Sequence, residues 1–125
     1  MKEIKDFYKL DAWQKAHQFT LRIYKVTNGF PKEELYGIVS QIRRAASSIA
    51  ANIAEGFNRY HYNDKIRFYY NARGSVSESQ NFIFLAKDLS FLTEYESNVL
   101  FDLSQEVNKL INGLIRSIEK QKQIS

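Results

Sequence analysis

Residues 40–59, SQIRRAASSIAANIAEGFNR, combine an apolar stripe, a crowd of small side chains, two adjacent arginines and a glycine near the end. On a helix, Ile38, Ile42, Ala45, Ile49, Ile53 and Phe57 follow one another at steps of four, three, four, four and four, which keeps them on one face. Ala46, Ser47, Ser48, Ala50, Ala51 and Ala54 flank that face. Side chains this small let neighbouring helices approach from more than one direction, toward the short end of the usual ~8–10 Å axial spacing. The stretch is therefore expected to be the central helix of an all-α protein. Gly56 is expected to end it through a left-handed turn, with Phe57 folding back. Arg43 and Arg44 leave roughly 100° and 200° round from Ile42, on different flanks.

The rest of the chain supplies three more helices. Leu10-Asp11 opens the first, with Asp11 as cap and Leu10 as hydrophobic staple. Ala12, Ala16, Phe19, Ile23 and Val26 form its seam, and Asn28, Gly29 and Pro31 end it. A third helix starts with Tyr62 or Asn63 near its cap and Asp64 in its first turn. Its expected seam is Phe68, Ala72, Ser75, Ser79, Phe82, Ala86 and Leu89. Yet Ile66, Tyr70, Phe84 and Phe91 lie nearly opposite, and Tyr69, Val76 and Ile83 lie on a flank. A helix apolar almost all round is buried or shared between subunits. No helix of a bundle this small is fully enclosed, so Ile66, Tyr69, Tyr70 and Phe84 are expected at an oligomer interface. Thr93-Glu94-Tyr95-Glu96 has capping-box spacing and starts the fourth helix. Val99, Leu103, Val107, Leu110, Leu114 and Ile118 form its seam, widened by Leu100, Ile111 and Ile115, and the mid-helix Gly113 marks an expected close contact.

The expected helices cover residues 11–28, 38–57, 64–90 and 94–120. Their short connections give an antiparallel up-down-up-down four-helix bundle occupying residues 1–125 as one domain. The 125 residues suffice for one core and not two.

Charge and composition narrow the chemistry. No cysteine is present, which removes disulfides, thiolate catalysis and cysteine zinc sites and favours a reducing cytoplasm. Mean hydropathy is −0.44, no run nears the ~18 apolar residues of a membrane span, and the charged N-terminus is no signal peptide. A cytoplasmic protein with no membrane partner is expected. Eighteen basic residues against fourteen acidic ones give +4 and a pI near 9.3, a mild bias that permits a polyanion without requiring one. The excess lies early: residues 1–30 hold six basic and three acidic groups, whereas residues 92–125 hold four and five.

The sequence resembles the four-helix-bundle family of proteins encoded within intervening sequences of 23S ribosomal RNA genes. The resemblance is carried by LDAWQKAHQF at 10–19, IYKVTNGFPKEELYG at 23–37, SQIRRAASSIAANIAEGFNR at 40–59, IRFYYNARGSVSE at 66–78, LAKDLSFL at 85–92 and NGLIRSI at 112–118. It implies a compact up-and-down bundle, homopentameric assembly, no enzymatic activity, and kinship with accessory proteins of diversity-generating retroelements, similar basic bundles that engage nucleic acid and reverse transcriptase. Ala50 replaces the family's usual proline, His61 its Ser or Thr, and Lys65 its aromatic. Glu78 keeps the first carboxylate of a Glu-x-Glu pattern, but Gln80 replaces the second.

The functional residues singled out are Arg43, Arg44, Arg59, Arg67 and Arg73, with Tyr60, Tyr62, Tyr69 and Tyr70 nearby. Arginine pairs with phosphate and tyrosine stacks on bases, so RNA or DNA is the leading partner, with a nucleic-acid-processing protein beside it. The competing account makes Glu55 and Arg59 a surface pair and packs the tyrosines at interfaces, which leaves an oligomeric protein-interaction scaffold. His17 and His61 are too scattered for a metal site. The serines lack a matched base, and no phosphate or dinucleotide fingerprint is present. No catalytic residue, cofactor or metal is expected.

Overall fold

A computed structural model describes residues 3–124. Four helices form the chain: α1 (Asp11–Thr27), α2 (Ser40–Phe57), α3 (Tyr62–Asp88) and α4 (Glu94–Ile124), with no strand among the described residues. Each helix packs on its neighbours in sequence, and α1 packs on α4 to close the ring. Polar bonds across the seams fix the directions. Thr27 meets Arg43 and Thr20 bonds the Ala46 carbonyl; Ser48 bonds Ser75 while Gly56 lies against Tyr69; Gln80 bonds Ser104 while Arg73 bonds Asn112. Residue numbers rise on one helix as they fall on the next, so consecutive helices run antiparallel.

The core draws on all four helices. In α2, Ile42, Ala45, Ile49 and Ile53 are wholly buried, as the opening stretch predicts. In α1, Ala12, Ala16, Phe19 and Ile23 point inward, with Thr27 taking the last core position and Val26 half-buried. The seams of α3 and α4 differ from expectation. Tyr69, Val76 and Ile83 occupy the centre of the inner face of α3, with Phe68 half-buried beside them and Leu89 exposed. In α4, Leu100, Ile111 and Ile115, expected to widen the seam, lie at its centre with Val107 and Ile118, and Val99, Leu103, Leu110 and Leu114 move to the edge. Both helices carry apolar residues round much of their circumference, so spacing alone leaves several faces eligible. Packing against α2 selects among them.

Several helix ends also depart from expectation. The α1 helix begins with Leu10 in extended conformation, and Asp11 sits in the first turn without a capping bond. Between α1 and α2 the chain runs through a 3-10 turn, Lys32–Glu34, and a π-helical turn, Leu35–Val39, in which Gly37 is non-helical. Gly56 makes no left-handed turn, since no glycine has positive φ. It is buried in the last turn of α2, where a Cβ would lie 2.7 Å from Tyr69 Cε1 and 3.0 Å from Phe68 Cβ. The glycine is there to let α3 close on α2. Gly113, by contrast, has only the tip of Arg116 within 4 Å, so it marks no close helix contact. The α4 helix starts as expected: Thr93 N–H donates to Glu96 Oε1 at 2.9 Å, and Glu96 N–H donates to Thr93 Oγ1 at 3.0 Å. It continues to Ile124, past the end expected at residue 120.

Among the described residues Ser90 is left-handed, at φ 64° after α3. Phe91 N–H bonds the Ala86 carbonyl at 2.8 Å and Ser90 N–H bonds the Lys87 carbonyl at 2.9 Å, the two bonds of a Schellman end. A side chain in this conformation costs about 1–2 kcal/mol. Ser90→Gly should therefore stabilise the protein by about 1 kcal/mol and raise its melting temperature by a few degrees. A thermal melt with no rise would refute the strain.

Candidate nucleic-acid interface

The fold separates the five arginines. Arg43 is half-buried: its Nε donates to Thr27 Oγ1 at 2.9 Å, its Nη2 to Asn28 Oδ1 at 3.2 Å, and its guanidinium lies 4.5 Å from the Tyr24 ring centre. These groups surround the C-terminus of α1, where free carbonyls concentrate partial negative charge. Arg43 thus ties α2 to α1 with most of its donors engaged. Arg44 leaves on the other flank, pairs with Glu78 of α3 and donates to Gln41 Oε1 at 3.1 Å. Arg73 donates to Asn112 Oδ1 of α4 at 3.0 Å and covers the Tyr70 ring at 4.9 Å. These three serve seams between helices.

Arg59 and Arg67 converge instead. Both guanidiniums lie over the Phe68 ring, at 4.7 Å and 4.5 Å from its centre. The convergence follows from the local chain. A four-residue connection, 58–61, joins α2 to α3, and Gly56 brings the first turns of α3 close enough for Phe68 to sit beneath both side chains. Arg59 Nη2 pairs with Glu55 Oε2 at 3.1 Å, the i,i+4 pair read from sequence. Arg67 Nη2 stands 4.0 Å from Asp64 Oδ1, beyond hydrogen-bond reach. All four side chains are exposed, and exposed pairs of this kind contribute under about 1 kcal/mol.

Tyr60 follows Arg59 in the connection. It is 88% exposed, touching His61 edge-on at 5.1 Å between ring centres. Lys65 locks the connection from behind, donating to the Phe57 carbonyl at 2.6 Å and the Gly56 carbonyl at 3.4 Å. Burial lowers its ammonium pKa, because the charged form loses water there. At the same end of the bundle Lys122 of α4 donates to Asn63 Oδ1 at 2.6 Å. The sequence pattern places Phe68 in the core and singles out neither Lys65 nor Lys122 for this site. The adjacency Arg67-Phe68 carries a local signal; Lys122, from the far end of the chain, carries none.

The four residues expected at an oligomer interface divide. Tyr69 is a correction: it is 2% exposed within the protomer, and burial pushes its phenol pKa up to about 12. It belongs to the core and offers no surface to a second copy. Ile66 is half-buried, while Tyr70 and Phe84 are exposed on the outer face of α3, Phe84 lying 5.3 Å from Phe101. Tyr62, from the aromatic group near the arginines, packs half-buried on the core. His17 stacks on Trp13 at 4.7 Å, and among the described residues no three potential metal ligands come together.

Residues 8–113 match the family model of the 23S rRNA-intervening sequence protein, across all of α1 to α3 and most of α4. The chain belongs to this family. A crystal structure of a protein of unknown function from the S23 ribosomal protein family of Bacteroides thetaiotaomicron is similar, with a TM-score of 0.78 at 24% identity, covering 84% of this chain and 95% of that one. At that identity the likeness shows the fold alone. No curated protein matches. Neither the family description nor that structure indicates an enzymatic family. In this 23S rRNA-intervening sequence protein, the departures Lys65 and Gln80 and the retained Glu78 all make contacts within the bundle. Lys65 caps the end of α2, Gln80 donates to Ser104 Oγ at 2.9 Å and Gln105 Oε1 at 3.0 Å, and Glu78 holds Arg44. The Glu-x-Glu position is here a seam between α2, α3 and α4. No helix among the described residues is long and apolar enough to cross a membrane.

Proposed function

We propose that this 23S rRNA-intervening sequence protein is a non-enzymatic, cytoplasmic homo-oligomer, pentameric as the family resemblance implies, that binds RNA or DNA through the α2–α3 end of each bundle. The observation that carries the reading is the pair Arg59 and Arg67, held over one ring, with the exposed Tyr60 next to Arg59 in sequence. Guanidiniums stacked on an aromatic ring lose less freedom on meeting a phosphate, and repetition round an oligomer multiplies a weak contact by avidity. Tyr70 and Phe84 on the outer face of α3 supply apolar surface for self-association.

The test is a titration of labelled RNA and DNA at several salt concentrations, with light scattering for subunit number. Affinity should fall as salt rises, and Arg59→Glu with Arg67→Glu should weaken binding at least tenfold at 50 mM salt. The double variant should also flatten the log–log salt slope by about 0.7–0.9 for each phosphate that is no longer neutralised. A monomer in solution removes the oligomer. An oligomer with no salt-dependent binding leaves the second reading, a protein-interaction scaffold, which the exposed Tyr70 and Phe84 favour.

A further inference from the structure

We infer that the α2–α3 end takes single-stranded nucleic acid, with an unpaired base stacked on Tyr60 and the adjoining phosphates held by Arg59 and Arg67. The inference rests on the proposed function and names its substrate class. Tyr60 is 88% exposed, and its ring meets His61 edge-on, with planes 86° apart, so it is not sandwiched between neighbouring rings. Its place is fixed nonetheless. Asn58 N–H bonds the Ala54 carbonyl, Arg59 N–H bonds the Gly56 carbonyl, and Lys65 clamps the end of α2, so the connection carrying Tyr60 has both of its ends tied to helices. A tyrosine ring presented in this way, one residue along the chain from a ring-supported arginine, leaves its face open for a base to stack on.

Duplex bases are closed to such a ring, since each face is already covered by the neighbouring pair. A single strand offers free faces, and stacking of this kind tolerates any base. A duplex would meet the guanidiniums alone and leave the tyrosine ring unused. Stacking on the ring is what separates the two forms of nucleic acid.

The experiment uses fluorescein-labelled 20-mers of mixed sequence, as single-stranded RNA, as single-stranded DNA, and as each annealed to its complement. Anisotropy is read on the full chain at 50 mM salt. Single strands should bind at least tenfold tighter than duplexes. Tyr60→Ala should weaken single-strand binding about tenfold and leave duplex binding unchanged, while Tyr60→Phe, which keeps the stacking face, should stay within twofold of wild type. Tyr60 is almost fully exposed, so neither substitution threatens the fold. Equal or tighter duplex binding, or a Tyr60→Ala variant as tight as Tyr60→Phe, overturns the single-strand inference alone, provided that Arg59→Glu with Arg67→Glu still weakens binding at least tenfold. Binding that the double reversal weakens less than tenfold, or no binding by any probe, overturns the proposed site and the inference with it.

Discussion

Gly56→Val should cost the bundle about 3 kcal/mol or more, measured as a shift in the midpoint of urea unfolding. A Cβ alone at this position comes within 2.7 Å of the Tyr69 ring, and Tyr69 is itself buried among core side chains. Neither side can yield cheaply, since moving the ring displaces the core and moving the helices opens the α2–α3 seam. Overpacking of this kind typically costs about 1–3 kcal/mol, and the two further methyl groups of valine enlarge the clash. Gly113→Ala is the control. That glycine also lies within a helix, but only a flexible arginine tip is near it, so the substitution should stabilise by about 1 kcal/mol through helix propensity alone. If Gly56→Val melts with wild type, the close approach is not what the glycine provides.

Raising the pH from 10 to about 12 should strip stability from the wild type that Tyr69→Phe retains. The Tyr69 phenol is buried, and desolvation pushes its pKa from the ordinary 10 up to about 12. Between those values the unfolded chain has lost this proton while the folded chain keeps it. The folded state then binds more protons, so stability falls as pH rises. It is fully present below pH 10 and lost progressively up to about 12, at about 1.4 kcal/mol per pH unit. Lys65 acts in the opposite sense, because its lowered pKa means that the unfolded chain holds the extra proton in its window. Comparing wild type with Tyr69→Phe cancels the Lys65 contribution along with that of the exposed tyrosines. Parallel stability curves for the two proteins across pH 10–12 would show that Tyr69 is not shielded as its burial requires.

Tyr69 also shows where reading a sequence stops. Its neighbours on α3 include aromatic or branched residues in most directions, so periodicity places Tyr69 on a flank and Phe68 on the seam, one position away from the arrangement that packs. The identity of the helix is legible, because more than twenty residues with neither proline nor paired glycines can hardly be anything else. Its rotation is not, because rotation is settled by what α2 presents, and the buried Gly56 leaves space for a large ring at one point only. Gly56 itself misleads for a related reason. A glycine at a helix end most often serves a left-handed turn, and nothing local distinguishes that use from close packing.

The candidate site is legible in its members and not in its grouping. All five arginines are visible as candidates, and the separation of Arg43 from Arg44 follows from helical geometry alone. That Arg43 spends its donors on the end of α1, while Arg59 and Arg67 meet over Phe68, depends on contacts between helices that sequence spacing does not encode. The sequence by itself determined an all-α chain of four helices, the inner face of the segment at 40–59, and the capped start of the last helix, because each follows from chemistry within a few residues. Only the tertiary structure decided which face of α3 is core, why Gly56 is glycine, and which two arginines share a ring. Each of those is set by the shape of a neighbouring helix, and steric fit is a property of pairs of surfaces and not of either one alone.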